Sequence, residues 1–429
     1  MQPSIFISAG EASGEHYGAL LATALRQKFA PKGQGAEFEV IGMGGPRMEA
    51  AGVRRIVRAE DMAVMGLTEV VLHLPRIYLE FRKLRRAIRA RRPTVAILID
   101  FPEINFRLAR EFHHLGVPVI YFVSPQLWAW KQHRIRLVRE FVHRMLVIFP
   151  FEETYYRARD IDAKFVGHPL ADLPQPSITR EQFAAENNLN PARAWIGLLP
   201  GSRMKEIEAN LPEMIKAAIL LSHGRLQRGD PELQFLMPLA PTLTADQRGA
   251  VKRLVKAHGS KLEIRLIADQ GTESAVNPTA GGIHDARAAL FHARASIVAS
   301  GTATVEAALI GNPFVVVYRV SPLTYAIARR MVKVPHVAMA NLIAGKRVVP
   351  ELIQNDFTAA NIVQHLSPLL PDGPARESMT MELGAVREAL RSHVGLQPGQ
   401  TAIERVAGIV VQEVETAFPA SAPALAARP

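Results

Sequence analysis

The sequence predicts an α/β protein made of two doubly wound, Rossmann-like domains. Short apolar, β-branched runs alternate with helical stretches in both halves of the chain. A proline-rich break at 168–179, HPLADLPQPSIT, separates the two series. The length, 429 residues, suits two hydrophobic cores better than one.

The elements follow in order. Strands are expected at 4–8, 38–42, 94–99, 118–123, 144–148 and 164–166, with helices such as 15–29, 103–115 and 133–142 between them. Beyond the break, strands are expected near 194–199, 233–237, 262–266, 294–298 and 314–318. From 358 onward the pattern is mainly helical, and 417–429, AFPASAPALAARP, has the low complexity of a disordered tail. The resulting division is 1–172, 173–365, a set of C-terminal helices over 366–416, and the tail.

Composition narrows the class. Hydrophobic residues make up 48% of the chain, yet no apolar run reaches the ~18 residues that span a bilayer. The start, Met1 to Ile7, lacks the basic and long apolar regions of a secretory signal and reads as a first strand. With no cysteine, disulfides and thiolate metal sites are excluded, which fits the cytosol. A formal charge of +11 calls for an acidic partner: nucleic acid, an anionic lipid surface or a phosphorylated substrate.

The richest segment is 296–317, SIVASGTATVEAALIGNPFVVV. A strand ends in Ser300-Gly301, and a helix starts at once with Thr302, Ala303 and Thr304 in its first turn. Free N–H groups at a helix start attract anions, and Glu306, one turn on, is placed to accept paired hydroxyls such as those of a ribose. A second strand-ending turn, Pro200-Gly201-Ser202-Arg203, puts a guanidinium where phosphate oxygens would sit. Neither turn is a P-loop. The N-terminal loops, Ser8 to His16 and Gly42 to Gly45, lack the dinucleotide fingerprint, so an NAD site is rejected. Ser13, Gly14, Gly44 and Gly45 either let a substrate approach the backbone or simply help helices pack. Asp100 closes the apolar strand 95–99. Spacing alone makes it the cap of the helix that follows, although a general base is also open to it.

Other segments are less decisive. From Met62 to Phe81 apolar residues dominate, including Val64, Met65, Leu67, Val70, Val71 and Leu72, and a run of arginines follows up to Arg92. That combination suits an anionic membrane surface or, more prosaically, a core helix with a solvated basic end. Nucleic acid is disfavoured, because the aromatics lack stacking-platform interleaving. Ser124 to Lys131 places Gln126, Trp128 and Trp130 just past a strand end, a sugar or acyl contact surface unless buried. Asn341 is a lone amide in an apolar loop.

Together these segments resemble the lipid-A-disaccharide synthase family, two-domain GT-B glycosyltransferases associated with membranes. The resemblance runs in order through SAGEASGE (8–15), GMGG (42–45), MGLTEV (65–70), IDFP (99–102), SPQLWAW (124–130), VGHPL (166–170), LPGSR (199–203), SGTATVE (300–306) and MANL (339–342). The segment 271–283 and the tail depart from the pattern without touching a matched motif.

The resemblance implies two Rossmann-like domains facing across a cleft, with UDP-2,3-diacylglucosamine and 2,3-diacylglucosamine 1-phosphate (lipid X) as substrates. It implies inversion without metal or other cofactor, giving a β-1,6-linked disaccharide 1-phosphate and UDP. Gly201, Ser202, Arg203 and the Ser300–Thr304 turn would then hold UDP, with Glu306 on the ribose. Asp100 becomes the candidate base, Glu15 and His16 the weaker alternatives, and Asn341 an active-site residue of unassigned role. The apolar 62–81 segment would dock the protein, cytoplasmic and peripheral, on the inner membrane. The C-terminal helices would pack back on the first domain or exchange in a homodimer. Rival readings are a peptidoglycan-precursor N-acetylglucosamine transferase, a UDP-N-acetylglucosamine 2-epimerase, or a non-catalytic basic protein of the membrane surface.

Overall fold

The computed structural model describes residues 4–29, 38–62, 67–267, 284–332, 334–391 and 400–417. Val64, Met65, the 271–283 segment and 418–429 lie outside them, as do the side chains of Leu67, Val70, Val71 and Leu72. The chain forms two compact units, 1–172 with 392–429, and 173–391.

The first unit holds seven strands: β1 (Ser4–Ala9), β2 (Glu39–Gly44), β3 (Arg54–Arg58), β4 (Val95–Ile99), β5 (Val119–Phe122), β6 (Arg144–Val147) and β7 (Ala163–Phe165). They pair in parallel in the order β3-β2-β1-β4-β5-β6-β7. Central strands such as Val95–Ile99 are buried throughout, as expected of a parallel sheet covered by helices on both faces. The strand β3 has no counterpart in the sequence reading. Three of its five residues are arginines, a composition that masks a strand and protects a sheet edge.

The second unit repeats the plan with six strands: β8 (Ala194–Leu199), β9 (Leu233–Pro238), β10 (Ile264–Ile267), β11 (Ala295–Ala299), β12 (Phe314–Tyr318) and β13 (Glu351–Ile353). Their order is β10-β9-β8-β11-β12-β13, again parallel. The edge strand β13 was not expected; at three residues it is too short to show periodicity.

The helices grouped over 366–416 divide between the units, which corrects the expectation that they return together. The helix Pro374–Leu390 buries Met379, Leu383, Val386 and Leu390 within the second unit, against the helices Thr302–Ile310 and Met339–Ala344. Only the helix Ala402–Ala417 returns to the first, packing on the helix Ala12–Phe29. The Ala402 N–H donates to Asp172 Oδ2 at 2.6 Å, and Arg144 pairs with Glu413 at 2.9 Å. Among the described residues, no helix is long and apolar enough to cross a membrane.

Candidate active site

In an open parallel sheet, ligands bind beyond the strands' carboxyl ends where the winding order reverses. Those points are β1/β4 in the first unit and β8/β11 in the second. All four strands end in the segments singled out from the sequence: Gly10 to His16, Asp100, Pro200 to Arg203, and Ser300 to Thr304.

The chain leaves β4 through two successive left-handed residues, Asp100 and Phe101, each with φ 47°. Such backbone costs about 1–3 kcal/mol per residue and persists only where neighbours over-determine it. Here they do. Asn105 Nδ2 donates to the Ile99 and Asp100 carbonyls at 3.1 and 2.7 Å, and Tyr121 donates its hydroxyl to the Asp100 carbonyl at 2.6 Å. Ser8 on β1 fixes the amide by donating to Asn105 Oδ1 at 2.6 Å. At about 1 kcal/mol net each, these bonds offset the strain.

Asp100 does not cap the helix Pro102–His114, whose N-cap is Phe101 and carries no side-chain cap, so the reading from spacing alone is corrected. Its carboxyl is instead pushed up to about 7. Burial is the main cause, the negative charges of Glu11 and Glu103 add to it, and a hydrogen bond from the Phe101 N–H opposes it. A carboxylate that gains and loses its proton near neutrality suits general-base work.

Glu15 and His16 serve differently. Glu15 Oε1 accepts the Arg47 N–H at 2.8 Å, supplying from the first turn of the helix Ala12–Phe29 the cap that Gly45 lacks at the helix Pro46–Ala50. Burial, then the charge of Arg47, hold the His16 imidazole down to about 4, which makes it a weak base. Gly14, Gly44 and Gly45 are buried, and Ser13 is half-buried.

The tryptophan segment corrects one expectation. Trp128 is buried and donates Nε1 to Glu152 Oε1 at 2.9 Å, so it anchors the loop. Burial pushes the Glu152 carboxyl up to about 7, against hydrogen bonds from Trp128 and the Phe149 backbone. The exposed members are Gln126 and Trp130, the latter with the Lys131 ammonium 4.1 Å from its ring centre.

In the second unit two helix starts lie side by side, because Leu199 on β8 is in register with Val298 on β11. Gly201, at φ 127°, turns the chain into Ser202 and Arg203, both exposed. The Ser202 and Arg203 N–H groups donate to Glu206 Oε2 at 3.1 and 3.4 Å, so this start carries an internal carboxylate. The other start is open. Gly301, at φ 150°, precedes the helix Thr302–Ile310, and no side chain caps it. Its amides are therefore available to an anion beside exposed Thr302 and half-buried Ser300. Thr304 is buried and turns its hydroxyl back to the Gly301 carbonyl at 2.7 Å, which removes it from the expected phosphate contacts. Glu306 is half-buried; burial raises its pKa and the nearby positive charge of Arg287 opposes the rise.

Residues 5–403 match the family model described as lipid-A-disaccharide synthetase. The chain belongs to that family. A lipid-A-disaccharide synthase from Acidobacterium capsulatum is 59% identical over 404 residues, covering 94% of each chain. That from Koribacter versatilis is 46% identical over 407 residues, covering 95% of this chain and 97% of its own. Solved structures with similar folds include S. aureus MnaA with UDP (TM-score 0.60, 13% identity, 96% of each chain). The calicheamicin glycosyltransferase has a TM-score of 0.55 at 16% identity, covering 98% of this chain and all of its own. The two α/β units thus have the GT-B fold, and the protein is a UDP-sugar-dependent glycosyltransferase of lipid A disaccharide synthesis.

Asn341 has a structural place. It is fully buried, its Oδ1 accepts the Val348 and Val349 N–H groups, and its Nδ2 donates to the Val349 carbonyl and Glu351 Oε1, all at 2.7–2.9 Å. An amide donates two such bonds and accepts two, so none is left for a substrate. Four residues near the switch points have no counterpart in the sequence reading: Asn105, Tyr121, Asn210 and Tyr318. Asn210 holds the Pro200 carbonyl at 2.8 Å. Burial raises the Tyr318 pKa, as does the charge of Glu206, while that of Arg203 lowers it. None of the four carries a local signal, because each acts across elements.

Proposed function

We propose that the enzyme transfers a 2,3-diacylglucosamine unit from its UDP-activated form to 2,3-diacylglucosamine 1-phosphate, inverting the anomeric centre. Asp100 carries this reading, as a carboxylate at a switch point that titrates at about 7. It takes the proton of the acceptor 6-hydroxyl as that oxygen bonds to the donor's anomeric carbon. The bond from that carbon to the diphosphate breaks, and UDP leaves with the electron pair. The diphosphate is held by the Arg203 guanidinium, the Ser202 hydroxyl and the open helix start at Gly301 to Ala303. Their positive ends stabilise the leaving charge, and Glu306 takes the ribose hydroxyls. No metal or other cofactor enters the scheme.

The test is UDP release with both lipids present, using acceptors of several chain lengths. The expected result is UDP formed only when donor and acceptor are together, with a disaccharide 1-phosphate as product. Epimerised UDP-sugar, or transfer only to a peptidoglycan precursor, would overturn the assignment.

Both proposed substrates carry acyl chains, and each buried methylene is worth ~0.8 kcal/mol, so they stay in the bilayer. We therefore also propose docking on the anionic cytoplasmic face of the inner membrane. The helix Leu67–Arg91 supports this with exposed Tyr78 and Leu79 beside exposed Arg82, Lys83 and Arg86. Each such cation gives about 1 kcal/mol at an anionic surface. Part of the segment is core all the same, since Met62 is buried and Ile77 and Phe81 pack against the first unit's core. Replacing Val64, Leu67 and Leu72 by Ser is expected to release the protein from anionic vesicles at unchanged melting temperature. Retained vesicle binding would assign those three to the core as well.

A further inference from the structure

Asn105 has no exposed surface and sits in the first turns of the helix Pro102–His114. Its amide can face only one way. Nδ2 points at two carbonyls, which need a donor, and Oδ1 accepts the Ser8 hydroxyl. Burying an amide carries a desolvation cost that an apolar residue of similar volume would avoid. What the amide does here is local: both donor bonds end on the carbonyls of Ile99 and Asp100, where the chain turns left-handed. Ser8 comes from β1, in register with Leu98 on β4, so the clamp joins two neighbouring strands and a helix. The Tyr121 hydroxyl from β5 closes on the same Asp100 carbonyl from a third strand.

We propose that Asn105 is the positioning residue for Asp100, fixing the direction in which its carboxylate leaves the strand end. This rests on Asp100 being the base. Asn105 makes no contact with the reacting atoms; it holds the left-handed peptide from which the carboxylate projects. Tyr121 provides a second, weaker hold.

The test uses the full-length chain and the near-isosteric Asn105→Leu, measured alone and with Asp100→Ala. The single variant is expected to lose ~10²-fold in kcat, the scale of a misplaced catalytic group. KM for both lipids and the dissociation constant of UDP should stay near wild type. Adding Asn105→Leu to Asp100→Ala should cost nothing further, because the clamp then has no carboxylate to aim. Near-normal kcat in Asn105→Leu beside an inactive Asp100→Ala would overturn the positioning role and leave the base intact. An additional loss in the double variant would overturn it too. Near-normal kcat in Asp100→Ala would instead overturn the base, and the positioning role with it. Should Asn105→Leu not fold, Tyr121→Phe decides: kcat lower by about 3- to 10-fold at unchanged KM supports the clamp, and unchanged kcat overturns it.

Discussion

Asp100→Ala is expected to lower kcat by ~10²- to 10⁴-fold while UDP binds as to wild type. The variant removes the proposed proton acceptor and leaves the loops at Gly201 and Gly301, in the other unit, untouched. In the wild type the same group sets the acid limb of the rate profile. With the Asp100 carboxyl at about 7, kcat falls about tenfold for each pH unit below that point, as the base binds a proton. The charged groups that face it, Glu11 and Glu103, are negative and the Tyr121 phenol is neutral, so only the hydrogen bond from the Phe101 N–H works against the raised limb. A rate flat from pH 8 to pH 5 would remove Asp100 from the chemistry.

Stability should respond in the opposite sense. A carboxyl raised from 3.8 to about 7 holds its proton more tightly in the folded state. Its favourable contribution is complete below pH 3.8 and is lost as pH rises through about 7. The loss amounts to ~1.4 kcal/mol per pH unit within that window. Asp100→Asn lacks the term, so its melting temperature should overtake that of the wild type steadily from pH 4 to pH 7 and run parallel above. The buried Glu152 tilts both proteins in the same direction and cancels in the difference.

Asn341→Ala is expected to act on the fold rather than on turnover. The substitution strands the buried N–H and carbonyl of Val349, the half-buried N–H of Val348 and a contact to Glu351. Unsatisfied buried groups cost about 1–3 kcal/mol each, so a total of roughly 3–5 kcal/mol is expected. For a unit of this size that lowers the melting temperature by roughly 6–20 °C. Per folded molecule, kcat should hold. A variant that melts like wild type but has lost kcat would return Asn341 to the chemistry.

These two residues show what the sequence can and cannot reveal. Strands such as 95–99 and 314–318 are legible because buried parallel strands are continuous apolar runs, whereas the arginine-rich β3 and the three-residue β13 carry no such mark. The carboxyl ends of those strands, and hence Asp100, Arg203 and Gly301, can be located for the same reason. The use made of each side chain is another matter. Trp128 and Trp130 are two residues apart in a loop without period, so nothing local tells the buried anchor from the exposed ring. Asp100 stands two residues before the helical Pro102, next to the usual place of a cap, and the left-handed turn held by Asn105, Ser8 and Tyr121 keeps it out of that role.

The return of the last helix to the first unit sets an order on biosynthesis. The second unit is one continuous stretch, 173–391, complete as soon as it leaves the ribosome. The first unit is not, although it is made first. Its helix Ala12–Phe29 waits for the helix Ala402–Ala417, which begins 230 residues after Asp172, the group that caps it. At about 5–20 residues per second, that delay is roughly 10–50 seconds. Throughout it the nascent chain presents an uncovered helix face, and the half of the enzyme that bears the proposed base matures last.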